Sequence, residues 1–261
     1  MDRRTYLQAA GAAGLATAAG CLDGVLESSA DGAVLGPPEQ DLSESSHPTY
    51  GDEIPSFSVH DPFAEETITD DQFRGERALL MTFFFTSCPD NLCPALLQML
   101  KTGQEDAREE GYDGDVSFLA VTFDPEYDTP DVLEDEAENI GIDPYADNWH
   151  FLRPEDNDEA YELVAEDFGT PVHLEDHDHD DEHGEEDHHD DSHDDGHGHN
   201  ETDHGDGHDQ HDNEEEERTD GTHVYIILLV NENGIVERAY PGATQHSVSD
   251  IIDDLQAVVE G

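Results

Sequence analysis

The residues best placed to do chemistry are the two cysteines of Cys88-Pro-Asp-Asn-Leu-Cys93-Pro94 and His223, which stands 130 residues after Cys93 at the mouth of an apolar run. Two thiolates and a neutral imidazole form a soft, three-coordinate donor set that suits copper(I). Positions five apart on a helix point about 140° away from each other, so the pair needs a loop that ends where a helix begins. Pro89 disfavours helix at Cys88, and Pro94 fits a first turn, where no backbone N–H is needed. Cys93 is therefore expected to cap the helix, whose positive dipole end lowers a thiol pKa. A static disulfide here would close a loop too short for much entropic stabilisation, which favours a working pair. A lone histidine at a strand start is more often a bystander than a ligand, so His223 draws its weight from what surrounds it.

The elements that must position these groups alternate. Ala78 to Phe85 is a continuous apolar run of strand length that delivers the chain to Cys88, and Pro94 to about Gly111 reads as a helix with Leu96, Leu97, Met99 and Leu100 on its apolar face. Val116 to Phe123 is a second strand, stopped by Asp124-Pro125. Thr129-Pro130 then offers an N-cap and a first-turn proline for a helix through about Ile140. Asp128 reads as part of that helix start and nothing more. Trp149 to Leu152 is a short strand and Asn157 to Phe168 a helix. Val224 to Val230 is a buried strand, turned at Asn231–Gly234 into Ile235 to Tyr240, and a last helix covers Val248 to Val259. The folded part begins near Ile54, and its order is that of an α/β, thioredoxin-like single domain spanning residues 50–261.

Charge and composition set the surroundings. The formal charge is −59, from 68 acids against nine bases, of which Lys101 is the one lysine. Nucleic acid and anionic membrane surfaces are poor partners on that ground. The acidity is global, as expected of a halophilic protein whose self-repulsion is screened by molar salt. Residues 1–21 pair Arg3 and Arg4 with a short Ala/Gly-rich stretch ending at Cys21, which reads as a twin-arginine export signal joined to a lipidation site at Cys21. The expected location is the outer face of the cell membrane, reached through a lipid anchor, with residues 22–49 as a flexible tether. Residues 173–220 interrupt the domain with His, Asp, Glu and Gly and are expected to be disordered. They hold 12 of the 17 histidines, including His177, His179, His188, His189, His197 and His199. Such density suits low-affinity capture of Zn²⁺, Ni²⁺ or Cu²⁺, against the alternative of a solvated loop whose histidines do nothing. Asn200-Glu-Thr202 adds a weak glycosylation sequon.

Four blocks carry a resemblance: Phe85-Thr-Ser-Cys88-Pro-Asp with Cys93-Pro94; Val121-Thr-Phe-Asp124-Pro-Glu-Tyr-Asp128-Thr-Pro130; Phe151-Leu152 with the helix behind it; and His223 eleven residues before Gly234. Together they resemble the Sco/SenC family of thioredoxin-fold copper proteins. The resemblance implies copper bound by Cys88, Cys93 and His223, as Cu(I) or Cu(II), and a part in assembling the binuclear copper centre on the copper-binding subunit of cytochrome oxidase. It suggests a role for Asp124 beside the metal, where turn chemistry alone would also explain that residue. This chain departs from the family in having four residues between its cysteines where three are usual. An alternative within the same residues is a thiol–disulfide oxidoreductase that uses Cys88 or Cys93 to keep the oxidase cysteines reduced. A peroxidase is weaker, because the Pro-x-x-x-Thr-x-x-Cys pattern is missing. A metal-buffering lipoprotein would leave the domain as mere carrier.

Overall fold

The computed structural model describes residues 30–88, 92–172 and 225–261. The segment expected to be an export signal, Cys21, the histidine-rich insertion and His223 lie outside them. Seven strands form two sheets: a hairpin of β1 (Ser58–Asp61) and β2 (Glu66–Thr69), and a five-stranded sheet built from β3 (Ala78–Phe84), β4 (Val116–Thr122), β5 (Trp149–Leu152), β6 (Ile226–Val230) and β7 (Val236–Pro241). The large sheet runs β5-β4-β3-β6-β7, with β3, β4 and β5 parallel and β6 and β7 antiparallel to their neighbours. Four helices, α1 (Leu92–Glu110), α2 (Pro130–Ile140), α3 (Asn157–Tyr161) and α4 (Val248–Glu260), complete the thioredoxin-like domain. A π turn, Glu162–Asp167, extends α3.

Strand β3 explains why the core has two halves. Its side chains alternate across the sheet, and all seven residues are buried, because helices cover one face and the hairpin and α3 the other. Leu80 and Phe84 face α1 and α4, packing with Leu96, Leu100, Phe118 and Leu255. Leu79, Met81 and Phe83 face the other way, against Val59, Ile68, Val164 and Phe168. Helix α1 approaches the sheet closely at Gly103, where a methyl group would sit 3.1 Å from the Phe118 ring. The boundaries read from sequence agree with these elements to within about two residues, and Thr129 caps α2 as expected, its hydroxyl accepting from the Val132 N–H.

Two features differ from the sequence reading. The β1–β2 hairpin was not anticipated; it is fastened to β5 by the Arg153 N–H on the His60 carbonyl, 2.8 Å, and by a 3.0 Å bond between Asp61 and His150. Residues 30–49, expected as part of a loose tether, lie as a strap along the β7 edge. Glu237, fully buried on β7, accepts from the N–H groups of Val34 (2.7 Å) and Leu35 (2.9 Å) and from Asn231 Nδ2 (2.6 Å). Arg238 donates to the Gly36 carbonyl, Ser46 to that of Gly169, and the Gly51 N–H to that of Val236. The physical reason is a buried carboxylate that needs donors and finds them in backbone. Polar composition does not reveal such a contact.

Replacing Glu237 with glutamine puts an amide nitrogen against N–H donors. Chemical unfolding should show a loss of about 2–3 kcal/mol, and hydrogen exchange should show the Val34 and Leu35 amides losing protection while β3 keeps its own.

Candidate metal centre

The cysteines sit where β3 hands over to α1. Cys88 is 7 % exposed and Cys93 fully buried, and both are thiols. Cys93 hydrogen-bonds to Cys88. Both belong to the core half that contains Leu96 and Phe84, so the two sulfurs meet at the rim of the core and not in open solvent. Beside them Phe85 stacks at a tilt on Phe123, with ring centroids 4.8 Å apart. The Tyr225 hydroxyl, at the entrance to β6, lies 3.8 Å from Cys88 Sγ.

Two expectations about Cys93 are corrected by this arrangement. The helix starts at Leu92, so Cys93 lies inside the first turn instead of capping it. Its thiol pKa is raised, not lowered. The hydrogen bond with Cys88 and burial push it up, an effect that the Phe85 backbone contact opposes and the Asp128 charge reinforces. A helix dipole acts on the first turn, but proximity of a second sulfur and loss of water are larger effects here.

Asp128 is the functional residue that sequence reasoning passed over. Its side chain is fully buried. The carboxylate accepts from the Thr86 N–H at 3.1 and 3.2 Å, and from the hydroxyls of Thr86 and Thr122. Thr86 stands two residues before Cys88, so Asp128 holds the cysteine loop to the β4–α2 connection. Arg153 fixes that connection from β5, donating to the carbonyls of Pro125 (2.6 Å) and Asp128 (3.1 Å). Burial pushes the Asp128 carboxyl up to about 6, against the lowering influence of the threonine donors. The Asp-Thr-Pro run looked like helix initiation because it also is one; a Thr two residues before the first cysteine was the available signal. Asp124 is buried as well, with its carboxylate accepting from Asn157 Nδ2 at 3.2 Å, which ties the start of α3 to the end of β4.

The structure thus brings Cys88 and Cys93 together, with Asp124 held on the loop that follows β4. His223, Cys21, His177, His179, His188, His189, His197 and His199 fall outside the described residues. Among the described residues, no three His, Cys, Asp or Glu side chains converge as a metal-binding set. No described helix is long and apolar enough to cross a membrane.

The SCO1/SenC family model matches residues 49–188, more than half of the chain. The chain belongs to the SCO1/SenC family. That match ends before His223. No curated protein matches the sequence. Among solved structures the chain is similar to BsSco, a member of the Sco family of cytochrome c oxidase assembly proteins in which a disulfide switch was identified, with 20 % identity and a TM-score of 0.54 over 83 % of this chain and 97 % of BsSco. It is also similar to a SCO1/SenC family lipoprotein from Bacillus anthracis, with 18 % identity and a TM-score of 0.53 over 79 % of this chain and 94 % of that one. Yeast Sco1 with copper bound aligns at 15 % identity and a TM-score of 0.48, over 80 % of this chain and 94 % of the yeast protein. At these identities the likeness to BsSco and to the Bacillus anthracis lipoprotein shows the thioredoxin-like fold.

In this SCO1/SenC chain the raised Asp128 pKa has a definite sign. A carboxyl whose folded value is about 6 against an ordinary 3.8 keeps a proton that the unfolded chain has lost. That contribution to stability is complete below the lower value and lost as pH rises through the upper one. Relative to Asp128→Asn, which cannot titrate, the wild type should therefore lose on the order of 3 kcal/mol between about pH 4 and pH 6, read by urea unfolding of both proteins across that range.

Proposed function

We propose that this protein carries copper on Cys88, Cys93 and His223 and passes it to the copper-binding subunit of cytochrome oxidase, where the binuclear copper centre is assembled. The observation that carries this reading is the pair of reduced, adjacent and nearly water-free sulfurs, a site for a soft monovalent cation. A third donor has to come from outside the described residues, and chain connectivity supports His223. Tyr225 has its hydroxyl against Cys88. Two residues of chain span at most about 7 Å. Two thiolates and a neutral imidazole around Cu⁺ leave a net charge of about −1, and loading releases the thiol protons, so affinity falls as pH falls. Asp124 enters as a secondary residue that keeps the adjoining loop in place.

A second reading has its own support, since the similar BsSco has a disulfide switch. Here the chain acts as a thiol–disulfide oxidoreductase that keeps the oxidase copper-site cysteines reduced. Cys88 is then the attacking sulfur, being the more exposed of the two, while Cys93 holds its proton.

The histidine-rich insertion supplies a low-affinity reserve of zinc, nickel or copper(II) through residues such as His177, His179, His188, His189, His197 and His199. Export through the twin-arginine signal and lipidation of Cys21 hold the protein at the outer face of the membrane.

Anaerobic copper(I) titration tests the central claim. Cys88→Ala with Cys93→Ala should abolish tight binding. His223→Ala should weaken it by more than the roughly 10–100-fold that loss of a contact behind a ligand costs, with glutathione exchange retained; unchanged affinity in that variant removes the histidine from the set. A variant lacking residues 174–219 should take up less zinc and copper(II), and equal stoichiometry ends the reserve role. In membrane fractionation the wild type should sediment with membranes and Cys21→Ala should be released; equal partition of the two defeats the anchor.

A further inference from the structure

Cys88 has a neighbour to which neither reading gives a chemical role. The Tyr225 hydroxyl is 3.8 Å from its sulfur, and the backbone that leads from the tyrosine into β6 is held by two hydrogen bonds. The Ala243 N–H donates to the Tyr225 carbonyl at 2.8 Å, and Thr82 Oγ1 donates to the next carbonyl, that of Ile226, at 2.7 Å. The ring is half-buried and packs on the helix-side core. The hydroxyl therefore reaches the sulfur from a braced backbone, on a ring that is packed against the core. A thiolate has no proton of its own to give, so the hydroxyl is the donor whenever Cys88 is ionised or metal-bound.

The geometry points to Tyr225 as a positioning residue that donates an O–H···S hydrogen bond to Cys88 and so favours the reduced, metal-ready sulfur over the disulfide. A donor at a ligating sulfur withdraws electron density from it, which changes how strongly the sulfur gives charge to copper. A sulfur in a disulfide has no proton to donate and accepts hydrogen bonds less well than a thiolate, so the contact, whichever atom donates, stabilises the reduced pair. The copper consequence rests on the copper reading above. The redox consequence needs only the two thiols.

Tyr225→Phe removes the hydroxyl and leaves the ring. In the metal-free protein, the thiols of Cys88 and Cys93 give two electrons and two protons to glutathione disulfide; one S–S bond forms in the protein and one is cleaved to two glutathione thiols. The equilibrium constant of this exchange should move about fivefold toward the protein disulfide in Tyr225→Phe, the equivalent of one ordinary hydrogen bond, with the thermal midpoint unchanged. In the copper(II)-loaded protein, the sulfur-to-copper charge-transfer band should move while the stoichiometry stays the same. An unchanged glutathione equilibrium overturns the proposal whatever the copper spectrum does. A shift accompanied by a lowered thermal midpoint marks a packing role and overturns it too. Absence of tight copper binding in wild type would defeat the copper reading alone, since the glutathione measurement still decides the role of Tyr225.

Discussion

The Asp128 carboxylate is the tie on which the cysteine loop depends. Three parallel strands end side by side, and each sends a connection over the same edge of the sheet. Asp128 collects Thr86 from beyond β3 and Thr122 from the end of β4, while Arg153, beyond β5, grips the carbonyls of Pro125 and Asp128 itself. A buried acid whose partners among the described residues are neutral donors is costly, and those donors offset the cost only while all of them stay in place. Disturbing one therefore loosens the others. Residues 85–88, which carry the chain from β3 to Cys88, lie outside regular secondary structure, so their course is inherited from this polar cluster.

Much of the fold was legible because apolar runs of strand length and helical apolar faces are local signals. Strand β3 leads straight to Cys88, and the Thr129-Pro130 start of α2 is a local rule that the structure obeys. What escaped was tertiary. The β1–β2 hairpin has short strands with a polar second member, Glu66-Thr-Ile-Thr, and depends on Asp61 meeting His150 some ninety residues away. Residues 30–49 have the composition of a tether, and nothing in that composition shows that Glu237 will take hold of their backbone.

The site divides in the same way. The pairing of Cys88 with Cys93 follows from their types, their spacing and the flanking prolines. The direction of the Cys93 pKa does not, because it is set by the depth of burial and by the other sulfur, and these outweigh the helix end. Asp128 satisfied a local reading so well that its second task was hidden. Tyr225 offered no motif at all; its place beside Cys88 exists only because β6 runs antiparallel to β3, bringing the entrance of one strand to the exit of the other.

The strap along β7 also sets a length scale. On the proposal that Cys21 carries the lipid, nine peptide units separate it from residue 30, where the described chain begins, and so many units span at most about 30 Å. A domain anchored in that way would stay close above the bilayer, and whatever it serves would have to present its receiving groups within that shallow layer.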